Sequence, residues 1–376
     1  MIYKDFKGKK LSALGMGCMR FPTLEKDSEI DFDTTAKMVD YAIKNGINYF
    51  DTAWGYHGGK SETVIGEILS NYPRDSFYLA DKFPGYDLSN MPKVREIFPK
   101  QLEKCKTDYF DFYMFHNVCE ANIDAYLNPE YEIFDYLCQM RNEGKIRHLG
   151  FSAHANIENI KRFLDAYGHE MEFCQLQINY LDWSFQNAKE KVELVSSYNI
   201  PIWVMEPVRG GRLATLNSEM TDMLKSIRAD ETVPGFAFRF IQSIPEAVVT
   251  LSGMSDFDQL KENIKTFEED KPLTPAECDK LFEIVDIMLS KKTVPCTSCR
   301  YCLDHCPQGL DIPRLLKLYN EYSFSGGGFL APMQTKSLPE DKRPSACVGC
   351  KSCEAVCPQT IEISKTLADF AKALKL

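Results

Sequence analysis

Residues 47–62 read INYFDTAWGYHGGKSE, a short strand-like run, NYFDTA (48–53), that passes through glycines into a helical window opened by Ser61. That window, SETVIGEILSNYP (61–73), is amphipathic and has Pro73 beyond its end. Upstream, DTTAKMVDYAIKNG (33–46) is a second window, stopped by Gly46. The same alternation runs along the chain. Strand-like runs fall at LSALGMGCM (11–19), FYLADKF (77–83), FDFYMFHN (110–117), IRHLGFSA (146–153), FCQLQIN (173–179), IPIWVMEP (200–207) and AVVTLSG (247–253). With NYFDTA they make eight strand–helix repeats over about 270 residues, which predicts an α/β fold: a closed (β/α)8 TIM barrel rather than an open doubly wound sheet. No G-x-G-x-x-G opens a helix after the first strand, where LGMGCMRFP (14–22) runs into Pro22. A Rossmann dinucleotide site therefore loses its main support.

The C-terminal part has a different character. CTSCRYCLDHCP (296–307) and CVGCKSCEAVCP (347–358) are two copies of C-x2-C-x2-C-x3-C-P, the run that ligates 4Fe-4S clusters in bacterial ferredoxins. A cubane cluster needs four thiolates, and a tight loop offers three from one stretch of chain. The fourth comes from the partner run. One cluster is then expected on Cys296, Cys299, Cys302 and Cys357, and the other on Cys347, Cys350, Cys353 and Cys306. Zinc knuckles and a disulfide framework are the blander alternatives; zinc favours paired ligands over a triplet plus a distant Cys-Pro, and cytosolic disulfides are rare. The expected domains are a barrel over 1–290 and a small α+β ferredoxin-like iron-sulfur domain with extra helices over 291–376. Helices are expected at DIPRLLKLYNEYSF (311–324) and IEISKTLADFAKALKL (361–376), with TPAECDKLFEIVDIMLS (274–290) as the bridge.

In such barrels chemistry collects at the C-terminal strand ends. Asp51 ends FDTA, Tyr56 follows in the next loop, Lys82 ends ADKF and His116 ends MFHN. Hydride reduction of a carbonyl leaves an alkoxide that an acid must protonate. Tyr56 can supply the proton, a buried Lys82 cation would lower its pKa, Asp51 would hold Lys82, and His116 could orient the substrate oxygen. Each also has an ordinary reading: a turn cap, a solvated lysine, a loop tyrosine, a satisfied core histidine. Cys18 and Cys119, near the same mouth, read as packed thiols.

This constellation, with KGKKLSALGMGCMRF (7–21), INYFDTAWGYHGGKSE and LGFS (149–152), resembles the aldo-keto reductase superfamily over about residues 1–270. The whole chain is similar to its subgroup fused to a bacterial-type 2×(4Fe-4S) ferredoxin domain. The resemblance implies an oxidoreductase interconverting carbonyls and alcohols with NADP or NAD, catalytic residues Asp51, Tyr56, Lys82 and His116, and a small-molecule substrate. Carried over position by position, it implies nucleotide contacts at Gly17, Met19, Arg20, Asp51, Ser152, Gln175, Met205, Pro207, Val208, Gly210, Gly211, Arg212, Ser255, Gln259 and Asn263, with Arg209 a further diphosphate candidate. The chain departs from the family pattern at Ala153, where asparagine usually follows the serine, at Met205, where an aromatic usually stacks, and at Asp256, where NADP-selective members carry a cation.

A formal net charge of −10 argues against nucleic acid or an anionic membrane as partner. Six further cysteines (Cys18, Cys105, Cys119, Cys138, Cys174, Cys278) are scattered as reduced thiols would be, and the N-terminus has no apolar leader, so a cytoplasmic protein is expected. Three readings remain for the clusters: an electron relay to a redox partner protein, a purely structural role, or an electron-transfer protein whose barrel has become a docking or altered-cofactor scaffold. Loops 84–92 and 118–129 are expected to shape the pocket.

Overall fold

The structure is a computed structural model that describes residues 1–24, 29–290, 293–296 and 299–376. The chain divides into two compact units, Met1–Phe282 and Glu283–Leu376. The first opens with an antiparallel hairpin, β1 (Tyr3–Phe6) and β2 (Lys9–Ser12). Eight parallel strands then close into a barrel in chain order: β3 (Leu14–Gly17), β4 (Tyr49–Asp51), β5 (Tyr78–Phe83), β6 (Phe110–Val118), β7 (Ile146–Ala153), β8 (Phe173–Gln177), β9 (Ile202–Met205) and β10 (Ala247–Ser252), which returns to β3. Around them run α1 (Phe32–Lys44), α2 (Ser61–Leu69), α3 (Val94–Lys104), α4 (Ile133–Asn142), α5 (Ile157–Tyr167), α6 (Ala188–Ser196), α7 (Ser218–Ile227), α8 (Val233–Gln242) and α9 (Phe257–Thr266). The expected bridge helix is α10 (Pro275–Ser290).

The stretch 11–19 does not form the single strand expected of it. Leu11 and Ser12 end β2, the chain turns at Ala13, only Leu14–Gly17 enters the barrel, and Cys18–Arg20 is a 3-10 turn. The hairpin closes the bottom of the barrel. Phe6 and Leu11 share a core with Tyr49, Phe112, Phe173, Trp203, Val249 and Leu251, and Phe6 meets Trp203 edge-on at 5.1 Å. A run that is apolar throughout hides such a bend, because plug and strand both need apolar residues.

The second unit carries α11 (Ile312–Ser325), α12 (Leu330–Lys336) and α13 (Ile363–Leu374). Its core joins Leu310, Ile312, Leu316, Ile361, Ile363, Leu367 and Phe370 to Cys302 and Cys353. The described elements are helical, so helices packed on cysteine loops build this core. Cys296, Cys306 and Ile312 recur as Cys347, Cys357 and Ile363 at one constant offset. Loop and helix are thus the same unit used twice. In both copies an acidic residue precedes the helix, Asp311 and Glu362, and Asp311 accepts from Arg314 N at 3.2 Å.

Candidate active site

Strand register places the polar groups. Asp51 pairs with Ala80, so Lys82, two residues further on β5, has its side chain on the same inner face. Its Nζ donates to Asp51 Oδ1 at 2.5 Å and to the Thr52 carbonyl at 2.6 Å, with lysine and carboxylate both buried. Gln175 Nε2, from β8 across the barrel, donates to Asp51 Oδ2 at 3.2 Å. Tyr56 stands in the loop after β4, whose turn has left-handed backbone at His57 (φ 51°), Gly58 and Gly59. The Lys82 ammonium lies 4.9 Å from the Tyr56 ring centroid. His116 meets Tyr56 edge-on at 6.1 Å and Tyr86, from the loop at 84–92, at 5.2 Å.

His116 owes its aim to an irregularity in β6. Pairing with β7 shifts between Phe115 and Val118, Asn117 is left-handed at φ 58°, and the freed Asn117 N–H donates to Ser152 Oγ at 2.8 Å. Nothing in the spacing of MFHN announces that bulge. The His116 Nδ1 is buried and has no hydrogen-bond partner among the described residues. Such an atom is a group kept for a ligand, or one that leaves its desolvation uncompensated.

The electrostatics follow from burial. Burial alone would drive the Lys82 ammonium down, but Asp51, with Tyr56 and Asp81, holds it above its ordinary value. Burial pushes the Tyr56 phenol up to about 12, with Lys82 opposing. The expectation of a phenol made acidic on balance is corrected here: the ammonium acts in the expected direction, and desolvation outweighs it. Burial, with the nearby Lys82 charge, drives His116 well below the usual histidine range, so it is neutral at pH 7. Cys18 and Cys119 are buried thiols raised by desolvation, the latter to about 11. They fit the packed-thiol reading.

In the second unit the structure groups eight thiols around two hollows. One is lined by Cys296, Cys299, Cys302 and Cys357, the other by Cys347, Cys350, Cys353 and Cys306. Each takes three cysteines from one run and the fourth from the other. Thr297 and Ser298 of the first loop lie outside the described residues. The thiols ring a space rather than close on a point, and among the described residues no three His, Cys, Asp or Glu side chains converge as a single-ion site would require. Cys299 and Cys350 alone of the eight are exposed.

Residues 13–286 match the aldo/keto reductase family, and residues 295–362 match the 4Fe-4S dicluster domain. The chain belongs to the aldo/keto reductase family. Its relatives include a protein of Escherichia coli K12 named NADH-specific methylglyoxal reductase, 26% identical over 281 residues that cover 63% of this chain and 82% of that one. An uncharacterised oxidoreductase of Bacillus subtilis is 26% identical over 287 residues, 68% of this chain and 87% of that one. Among solved structures, the holo form of an aldo-keto reductase from Bacillus halodurans superposes with a TM-score of 0.63 at 24% identity, covering 76% of this chain and 96% of that one. An aldo-keto reductase from Klebsiella pneumoniae in complex with NADPH gives 0.58 at 17% identity, covering 76% and 95%.

Against that family background the nucleotide candidates divide into two sets. At the mouth, Arg20 is exposed and its stem lies over Gly253, where an added Cβ would come within 3.0 Å. Its Nη2 reaches the position a Cβ on Gly210 would crowd, and its carbonyl accepts from Ser255 Oγ at 3.0 Å. Arg20, Gly210, Gly211, exposed Arg212 and Ser255 thus border one rim, with Gly17 and Met19 just before Arg20 and Met205, Pro207 and Val208 just before Gly210. That rim fits a nucleotide diphosphate, offering two guanidinium groups and glycines with left-handed backbone. The second set makes hydrogen bonds within the fold. Gln259 donates to Asp256 Oδ2 and accepts from Ser255 N, Asn263 donates to Ser252 Oγ, and Ser152 accepts from Asn117 N. Arg209 is a correction: it is buried, with Nε donating to both oxygens of Asp182 at 3.1 and 3.0 Å, and so is not presented to a diphosphate. The sequence signal missed was Asp182 itself, an acid that opens a short helix (Asp182–Phe185) after β8.

Proposed function

We propose that this aldo-keto reductase interconverts a small-molecule carbonyl and its alcohol at Asp51, Tyr56, Lys82 and His116, using NADH or NADPH. The observation that carries the reading is the placement of one ammonium against Asp51, the Thr52 carbonyl and the Tyr56 ring, in a mouth where His116 leaves a buried nitrogen unpartnered. A bound nicotinamide would supply the hydride in reduction and accept it in oxidation. The chain's own residues do the rest. Tyr56, neutral at physiological pH, holds the proton for the carbonyl oxygen. Lys82 stabilises the phenolate left behind, because its charge acts in a site with little water to screen it. Asp51 and the Thr52 carbonyl fix Lys82 in place. Neutral His116 donates to the substrate oxygen and orients it toward Tyr56. Ser152 keeps its hydroxyl hydrogen for a nucleotide amide, having used only a lone pair on Asn117. Arg20 and Arg212 face the diphosphate.

The two hollows suit 4Fe-4S clusters on the interleaved thiol sets, with Cys299 and Cys350 each presenting one corner to solvent. An exposed corner favours one-electron exchange with a redox partner protein over a purely structural role. The test uses anaerobically purified full-length protein with iron and sulfide quantified. NADH- or NADPH-dependent reduction of methylglyoxal and a panel of aldehydes is expected, and Tyr56→Phe should lower it about 10²- to 10⁴-fold. A panel with no turnover, or turnover that Tyr56→Phe leaves unchanged, rejects the reading. Bleaching of the cluster absorbance by a chemically reduced ferredoxin tests the relay; clusters that stay oxidised leave them a structural role only.

A further inference from the structure

The residue bearing the ammonium has a backbone problem. β4 stops at Asp51 while β5 continues to Phe83. Thr52 N donates to Ala80 O at 3.0 Å, so the peptide groups of Ala80 face β4. In a parallel ladder those of Lys82, two residues on, face the same way, toward a strand that has already ended. Buried peptide groups without partners destabilise a fold, so something must replace the missing strand.

Side chains from behind the barrel wall do so. Asp81, pointing outward where Lys82 points inward, accepts from Lys82 N at 2.8 Å. Gln101 of α3 donates from Nε2 to Lys82 O at 3.0 Å. Gln101 is in turn held on every side: the same Nε2 donates to Glu62 Oε1 at 2.9 Å, and its Oε1 accepts from Tyr113 OH at 2.5 Å. Lys104 donates to the other oxygen of Glu62. Glu62, Asp81, Lys82, Gln101 and Tyr113 are all 0% exposed. Helices α2 and α3 bring this about by close approach: a Cβ on Gly66, one turn beyond Glu62, would lie 2.6 Å from the backbone of Cys105. Only an amide meets the demand, because it carries two donors on one nitrogen for a carbonyl and a carboxylate, and an acceptor for the phenol. A leucine of similar size would leave Lys82 O, Glu62 and Tyr113 short of a partner at once.

We propose that Gln101, braced by Glu62 and Tyr113, is a positioning residue that sets where the Lys82 ammonium stands relative to Asp51 and Tyr56. The proposal rests on the reading of Lys82 given above. With Gln101 in place the end of β5 is as rigid as if β4 continued beside it; without it the strand end frays and Nζ leaves its two short contacts.

The experiment uses full-length, cluster-loaded protein with lysine labelled at 15Nζ. The Lys82 ammonium signal is assigned by its loss in Lys82→Met. In Gln101→Leu its proton exchange with water should quicken by about tenfold or more, and kcat for methylglyoxal with NADH should fall about ten- to hundredfold with KM within about twofold, as a displacement of about 1 Å predicts. Tyr113→Phe, which removes one brace and keeps the packing, should move both readings the same way by a smaller factor, and it stands in if Gln101→Leu does not fold. A lower melting temperature with unchanged Lys82 exchange overturns the proposal. Faster exchange with unchanged kcat overturns it too. If the wild type turns over no carbonyl, the functional reading has failed, and the exchange rate alone decides the clamp.

Discussion

The barrel mouth and the cysteine-bearing unit solve opposite problems. At the mouth, the Lys82 ammonium and its supports are already answered by the chain: Lys82 by Asp51 and Thr52 O, Asp51 by Gln175, the Lys82 peptide by Asp81 and Gln101. The C-terminal unit instead places thiols around two hollows inside its own core, with Cys302 and Cys353 among its buried residues. One region has its ammonium fixed by folding. The other is finished by what it binds, since a small core with two internal spaces lacks the contacts that close packing supplies.

Removing the metal should separate the two regions most sharply. Anaerobic chelation of iron is expected to abolish hydrogen-exchange protection across α11 and α13 while the barrel strands keep theirs. Uniform loss in both would break the contrast. Next in size, Tyr56→Phe should lower carbonyl turnover about 10²- to 10⁴-fold, the range one positioned proton donor contributes, without changing iron content. A drop shared by the cluster signal would mean that the regions are not independent. Lys82→Met should then destabilise the barrel by about 3–5 kcal/mol in urea titrations, because it leaves Asp51 buried without its cation. The double variant Asp51→Leu with Lys82→Met should recover most of that loss. A Lys82→Met variant of wild-type stability would show that the mouth is not the preassembled site described.

The smallest effect sharpens the picture at the barrel floor. Burial alone would raise the Glu172 carboxyl, but His148 and Lys7 outweigh it and hold it at about 2. A carboxyl whose folded value lies below its unfolded one contributes stability above the unfolded pKa of about 4.3, and loses it as pH falls through the folded value. Glu172→Gln should therefore lower the melting temperature at pH 6 slightly and flatten its decline between pH 4.5 and pH 2. The group is half-buried, so the change stays below about 1 kcal/mol. An unchanged acid profile would remove Glu172 from the contacts that pin the β1–β2 hairpin.

Much of this was legible in advance, unevenly. All eight barrel strands lie within the runs read from the sequence or within a residue of them, and one run is informative: in 11–19 a plug and a strand share one apolar pattern. The four mouth residues were visible because motifs at strand ends are local. Arg209 was misread because a guanidinium followed by two glycines looks solvent-facing until Asp182, from the segment after β8, is seen beside it. Gln101 and Glu62 were invisible, since each sits in a helix whose pattern is satisfied without regard to its polar tip.

What the residues alone determined is whatever depends on short spacing: alternating strands and helices, the two cysteine runs, the polar groups that end strands. These follow from backbone periodicity and chain length between ligands. Only the tertiary structure decided that Arg209 is spent on Asp182, that side chains replace a strand behind Lys82, and that burial leaves Tyr56 a weaker acid than its lysine neighbour suggests. Each of those outcomes depends on groups far apart in the chain meeting where water is excluded, and no local window contains both the groups and the dielectric around them.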